Sequence, residues 1–484
     1  MRLHSAALVI IFLTVVIALI LGLLAARGKQ MNLQQWTVAG RSFGALFVFL
    51  LMAGDIYTTF TFLGGSGWSY GVGGPTLYIL SYGSLAYVLA YFMLPRIWRY
   101  AKTHNLISQP DYFEQRFQSK GLSMLVALVG VVAIIPYLQS QFTGLGLIVE
   151  IASYGSISAV WGMVIAMFVI AIYVTLSGVR GSAWTAALKD IVLLAVVLFI
   201  GIALPLHVGG FSAMFHKIDA LKPGFLTFGS TAQGIPWFIS TVLMTAVGFY
   251  MWPHAFGAVY TAKNERVFRN NAMFLPLYQL ILLFVFFVGF AAILIVPGLT
   301  NSNLALMSAV TKVYAPWFVG VIGGAGMLAA LVPGSLMLIG ASTLLAENIY
   351  RPLSRSATPS QVQLVARVLV WVIAAIALFF SANSNATIVA LLLMGYNFVT
   401  QFFPAVILGI FTQRGANRIG AISGIVVGVI LVAIFALTGT SIIWGLNSGF
   451  LAVIANAIVV LAVSAATPSS AVVESPSAKA TPAD

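Results

Sequence analysis

Apolar runs of about twenty residues, divided by short polar segments, recur from one end of the 484-residue chain to the other. Each is long enough to cross the ~30 Å hydrocarbon core of a bilayer as a helix. The pattern predicts thirteen such helices, at 6–26, 43–72, 75–98, 121–151, 157–177, 183–204, 236–262, 272–297, 316–346, 362–382, 386–411, 419–438 and 442–465. The first run is retained: a cleaved leader has a shorter apolar region with its basic residues in front, and here Arg27 and Lys29 follow. Between the spans, 99–120 predicts a short amphipathic helix with Pro110 at its start, and 205–235 is the longest outer loop. From residue 467 the chain is an Ala-, Ser- and Pro-rich tail too short to fold, expected to be disordered and cytoplasmic.

Two of these runs carry interruptions that an ordinary membrane helix lacks. In the second, Ala53-Gly-Asp55 is followed by Gly64-Gly-Ser-Gly67, placing a carboxylate inside an apolar stretch. A charge at membrane depth costs about 2.5–3.5 kcal/mol on insertion scales, so such residues pair with one another or mark an ion or substrate path. In the seventh, Gly248-Phe-Tyr-Met-Trp-Pro253-His254-Ala-Phe-Gly257 breaks the run again. The two lie five spans apart, an odd offset that sets them antiparallel. Unwound backbone in a membrane is tolerated where it lines a cavity, and broken helices at matching places in two halves point to an inverted-repeat transporter.

Composition sharpens this to an all-α polytopic membrane protein: 61% of residues are hydrophobic and 7% charged, against roughly a quarter charged in soluble domains. The net charge of +13 resides in short loops, where it reports orientation and calls for no nucleic-acid partner. With the N-terminus outside and the C-terminus inside, nineteen of the 23 Lys and Arg fall on the cytoplasmic side, Lys189 among them, leaving Arg2, Lys217, Lys222 and Lys312 outside. Cysteine is absent, the five histidines (His4, His104, His207, His216, His254) have no metal-ligand spacing, and there is no phosphate-binding loop. An enzyme, an ATP-driven pump and a channel with a repeated filter are therefore disfavoured, and no cofactor is called for.

Several ordered stretches resemble the sodium/solute symporter family over nearly the whole chain. Ala53-Gly-Asp55 with Phe62-Leu-Gly-Gly is similar to its first core helix, and Leu106-Ile-Ser-Gln-Pro-Asp-Tyr-Phe-Glu-Gln-Arg116-Phe to its cytoplasmic loop. Ser177-Gly-Val-Arg-Gly181 through Lys189-Asp190, Glu347-Asn-Ile-Tyr350 and Gln401-Phe-Phe-Pro404 resemble further family segments. Trp252-Pro-His254 and Arg269-Asn-Asn-Ala-Met-Phe-Leu-Pro-Leu-Tyr278 resemble the branch that includes bacterial monocarboxylate permeases. The resemblance implies a leucine-transporter-type 5+5 inverted repeat: an extra helix within 1–30, repeats over 43–204 and 236–412, and two further helices over 416–466.

It also implies a sodium site made of the Ala53 and Ile56 carbonyls and a hydroxyl pair on the ninth span. Aligned without gaps on Glu347-Asn-Ile-Tyr350, that pair falls on Val332 and Pro333, neither of which offers the side-chain oxygen a hard cation prefers. Ser335, Ser342 and Thr343 are the nearest substitutes. The coupling ion is H+ or Na+, and the missing hydroxyls favour H+, with Asp55 the acid that carries it and Asp190 either a relay or a partner of Lys189 or Arg180. Candidate substrate contacts near the breaks are Tyr57, Thr58, Thr59, Tyr137, Gln139, Gln141, Tyr250, Trp252, His254, Asn397 and Gln401. No Lys or Arg is expected at depth in the core, so an anionic substrate would rest against half-helix N-termini.

The expected function is uptake of a small organic solute, a monocarboxylate in the first reading, by a symporter in the bacterial cytoplasmic membrane. The alternative is a sodium-coupled symporter for a neutral amino acid or vitamin. The partners are the substrate and the lipid bilayer; nothing in the sequence sets an oligomeric state.

Overall fold

Apolar residues that find no water must satisfy their backbone groups internally, so each run closes into helix. The computed structural model describes residues 5–27, 32–54, 56–228, 232–354, 356–412 and 415–467. Asp55 and the tail beyond 467 lie outside the described residues, as do Arg2 and Lys29. Among the described residues ten helices are long and apolar enough to cross a membrane, eleven when the bent pair at 235–260 counts as one more. Two expected spans, 157–177 and 183–204, form the single 49-residue element Ala159–His207. Straight, it would be ~74 Å long. It turns instead at Gly178, where φ of 59° suits a residue without Cβ.

The helices Ser5–Ala26, Lys120–Ala152, Ala159–His207 and Pro316–Leu345 pack on one another. Pro316–Leu345 is the most enclosed, buried along most of its length although Pro333 sits inside it. The extra N-terminal helix presses against it at Gly320, where a Cβ would come within 2.8 Å of Ala7. The outer surface is apolar side chains such as Phe12, Phe92, Trp161, Phe168, Ile191 and Phe379, the surface a hydrocarbon solvent requires.

Several local expectations change. The Gly64–Gly67 stretch is no interruption: Phe60–Gly65 forms wide helical turns that continue into Ser66–Gly71. These glycines serve close packing, for Gly67 faces the Ser302 carbonyl. The amphipathic helix is Gln109–Phe117, because Tyr78–Thr103 runs past residue 99 before ending. The loop after residue 205 contains a helix, Phe211–Leu221. The last span starts at Ser448, after a two-residue hairpin of Ile442–Ile443 on Leu446–Asn447. Trp444 and Gly445, both at positive φ, make its turn.

Candidate functional site

The first break lies between the end of Ala45–Gly54 and the restart at Phe60. Ile56 N–H donates to the Ala53 carbonyl at 2.9 Å, so that carbonyl turns back on its own chain. The carbonyls of Gly54 and Tyr57, one residue further along than expected, face outward to a side chain. The restart is held from within and without. Thr58 N–H donates to the Thr61 hydroxyl at 2.9 Å and Phe60 N–H to the Thr58 hydroxyl at 3.1 Å. The Thr59 hydroxyl donates to Gln141 Oε1 at 2.8 Å, with the Thr59 N–H at 3.4 Å from the same oxygen. Tyr57 donates its hydroxyl to the Tyr278 carbonyl at 3.1 Å.

The second break is sharper. Ile235–Gly248 ends in a tight turn over Phe249–Met251; Trp252 is extended at φ −61°, ψ 132°, and Pro253–Tyr260 sets off at 49° to the first half. Pro253 belongs there, since a helix start needs no N–H at its first position. The Met251 carbonyl accepts from Gln109 Nε2 at 2.8 Å, so the Gln109–Phe117 helix straps this break. That strap is tied down in turn: Asn348 accepts from the Ser108 hydroxyl at 2.9 Å and donates to Asp111 Oδ1 at 2.7 Å. The two broken spans also join beside their basic loops, where Phe43 N–H donates to the Thr261 carbonyl and Lys263 N–H to the Phe43 carbonyl. They are positioned as a pair.

Around the second break the rings of Tyr137, Trp252, His254 and Tyr396 converge. Tyr137 lies 4.9 Å from Trp252 and 5.8 Å from His254, and Trp252 lies 5.2 Å from Tyr396, centroid to centroid. The ring contacts continue without a gap from Tyr396 to Tyr82, Tyr78, Trp68 and Trp237. Trp68 and Trp237 line a cavity of about 460 Å³ that also reaches Met394, Asn397 and Asn447. At the other end His254 and Pro253 line a cavity of about 40 Å³ with Gln109, Gly340 and Thr343. Two cavities thus approach one column of aromatic rings, and the second break sits in that column.

The structure separates the sequence candidates. Tyr137, Trp252 and His254 come together, with Tyr250 in the same turn. Tyr396, missed in the sequence, joins them; a lone Tyr in an apolar run gives no signal to single it out. Thr58, Thr59 and Gln141 are consumed in holding the first break. Gln139 points away, its amide donating to the Phe380 carbonyl at 3.2 Å. Gln401 is tied to the last span, its carbonyl accepting from Asn456 at 2.7 Å, while Asn397 borders the larger cavity. Ser335 is engaged by Ser182 at 2.7 Å and by its own Val332 carbonyl.

The expectation that no Lys or Arg lies at depth is wrong. Lys189 is fully buried, eleven residues past the turn at Gly178, or ~16 Å along the helix. It therefore leaves the count of loop residues. Its ammonium donates to the Gly54 carbonyl at 3.0 Å and the Tyr57 carbonyl at 3.1 Å, and it pairs with Asp190 Oδ1 at 3.1 Å. Asp190 is thus the partner of Lys189 rather than of Arg180, whose guanidinium bonds Ala39 and Ser42. Buried Arg116 likewise reaches the Gly409 and Thr412 carbonyls at a helix C-terminus, a structural use of a cation.

Helices interrupted at two paired, buried places, with cavities approaching from two sides, are the architecture of a secondary transporter. The profile of the sodium:solute symporter family matches residues 36–428, and the chain belongs to that family. It is 51% identical over 473 residues to the uncharacterized symporter YhjB of Bacillus subtilis, covering 95% of this chain and 97% of that one. It is 26% identical to a monocarboxylate transport permease protein of Rhizobium johnstonii, over 85% and 84% of the two chains. A solved Na+-coupled sialic acid symporter in a substrate-bound, outward-open state superposes with a TM-score of 0.78 at 18% identity, covering 96% and 98%. The fold is the leucine-transporter type, and the protein is a transporter and no enzyme.

The family implies a coupling cation, and the described residues at the first break leave few free oxygens for Na+. A Cβ built on Gly54 would lie 3.6 Å from a Val332 methyl and 3.7 Å from the Lys189 ammonium. Val332 thus brings a methyl beside Gly54, and an ammonium already bonds the outward carbonyls.

Proposed function

We propose that this chain takes up small monocarboxylates by alternating access across the bacterial cytoplasmic membrane, driven by a cation gradient in which H+ rather than Na+ is the coupling ion. The observation carrying the substrate class is the second break. There the first turn of Pro253–Tyr260 begins among the packed rings of Tyr137, Trp252, His254 and Tyr396, and His254 with Pro253 borders the small cavity. A helix N-terminus favours a carboxylate through its N–H groups and its dipole, and aromatic walls suit a short apolar remainder. Lys189 gives no competing anion site, because its charge is already paired with Asp190 and its ammonium bonds two carbonyls. The similarity to a monocarboxylate permease supports the same class.

In this reading residues 43–204 and 236–412 are the inverted halves, with the N-terminus outside and the C-terminus inside. The joined broken spans rock together against the remaining helices. Uptake of radiolabelled acetate, lactate and pyruvate into proteoliposomes, under an imposed pH gradient or an imposed Na+ gradient, tests the proposal. Accumulation driven by the pH gradient and abolished by an uncoupler is expected. Accumulation of proline or pantothenate with no carboxylate uptake overturns the substrate class; a strict Na+ requirement overturns the coupling ion.

A further inference from the structure

We infer that Lys189 is the resident cation of the first break: its ammonium takes the place of a free alkali ion, and the chain closes this site without Na+. The inference deepens the transporter reading and rests on it for its functional meaning. The geometry itself is independent of the substrate.

Three observations converge. The first is what surrounds the ammonium. It has three N–H donors and three acceptors within reach: the carbonyls of Gly54 and Tyr57 and one Asp190 oxygen, all at 3.0–3.1 Å. The two carbonyl contacts are hydrogen bonds of ordinary length, and the carboxylate completes the surroundings as an ion pair. The second is what the neighbouring span contributes. Val332 brings a methyl to Gly54, Pro333 has no donor or oxygen in its side chain, and the Ser335 hydroxyl is occupied by Ser182 and the Val332 carbonyl. A hard monovalent cation prefers several oxygens and would find too few left among the described residues. The third is depth. Lys189 has no exposed surface and sits in a helix long and apolar enough to cross a membrane, where a lysine persists if its charge is matched.

The function of such a tether follows from where its ends are anchored. Lys189 is carried by Ala159–His207, whereas Gly54 and Tyr57 flank the break between Ala45–Gly54 and the restart at Phe60. The ammonium therefore ties the broken helix to that long helix through one flexible four-carbon stem. A free ion would do this by arriving and leaving. Here the cation stays on the chain, and what remains variable is whether it is seated on the carbonyls. Carbonyl groups freed by unwinding need a positive partner in a medium without water, and this chain supplies one covalently.

Binding of radiolabelled Na+ to the purified full-length protein, together with thermal unfolding in sodium chloride against choline chloride, tests the inference. The wild type is expected to bind no Na+ above background and to unfold at the same temperature in both salts. Lys189→Ala should unfold several degrees lower and regain part of the loss with Na+ or n-butylammonium, either of which can refill the vacated seat. Saturable Na+ binding by the wild type overturns the assignment, even if the variant fails to fold. A folded Lys189→Ala that responds to neither cation overturns it too. Carboxylate uptake in the same preparation separates the two claims. Na+-dependent uptake would remove the Lys189 assignment and leave the transporter reading standing. An Na+-insensitive protein that takes up no carboxylate would remove the substrate reading and leave the cation seat.

Discussion

Asp190→Asn would neutralise one member of a buried ion pair and leave the other in place. The Lys189 ammonium is 3.1 Å from Asp190 Oδ1, and the lysine is wholly out of contact with solvent. At that distance and an effective dielectric constant of about 20, the Coulomb attraction is ~5 kcal/mol. Removing one partner of a buried pair costs about 3–5 kcal/mol, because the remaining charge keeps its desolvation penalty. Asparagine retains the shape and one acceptor, which places Asp190→Asn at the lower end of that range. Lys189→Met strands the carboxylate and also deprives the Gly54 and Tyr57 carbonyls of their donor, at about 1–3 kcal/mol per unmatched group. The double variant has no stranded charge and keeps only the carbonyl penalty. It should therefore be less destabilised than the two single losses added together, by about 2–3 kcal/mol, within the range of coupling measured for contacting residues. The assay is reversible unfolding of the purified protein in mixed micelles, followed by tryptophan fluorescence for all four proteins of the cycle. Additivity to within about 0.5 kcal/mol would refute the claim that the two charges compensate each other.

Three further outcomes are expected. Gln109→Ala removes the donor to the Met251 carbonyl at about 1–3 kcal/mol. Because the chain has no cysteine, a Gly257→Cys reporter in the small cavity should react faster with a thiol reagent in that background, and an unchanged rate would show that the strap does not hold the break. His254→Ala should raise the half-saturation constant for a transported carboxylate; an unchanged constant would return His254 to a packing role. Asp55→Asn should abolish concentrative uptake while exchange of bound substrate persists, and accumulation against a gradient by that variant would show that Asp55 is not the coupling acid.

Much of the architecture was legible in the sequence, for reasons that are local. Hydrophobic run length is a property of consecutive residues, and so is a Pro-His pair after an extended Trp; both spans expected to break do break. The Gly64–Gly67 stretch misled because glycine signals either unwinding or close approach, and only the neighbour at Ser302 tells which. The site was harder to read. Gln139 and Gln141 look alike in sequence, two residues apart beside Pro136, yet one faces Phe380 and the other caps Thr59. Gln401 sits in a family-like Gln-Phe-Phe-Pro segment, and its partner Asn456 lies 55 residues on.

What the sequence determined by itself was the class of the molecule and its two interrupted spans. Each follows from residue type at a given place in one stretch of chain. The tertiary structure decided which polar groups meet. Lys189 reads in the sequence as one more basic residue near a loop, and the helix beyond the turn at Gly178 is what carries it into the packed core. Its partners Gly54 and Tyr57 are 135 and 132 residues away and offer only backbone oxygens. A carbonyl looks the same in every sequence. It becomes a cation's ligand only when a helix unwinds around it and packing brings a charge to its side.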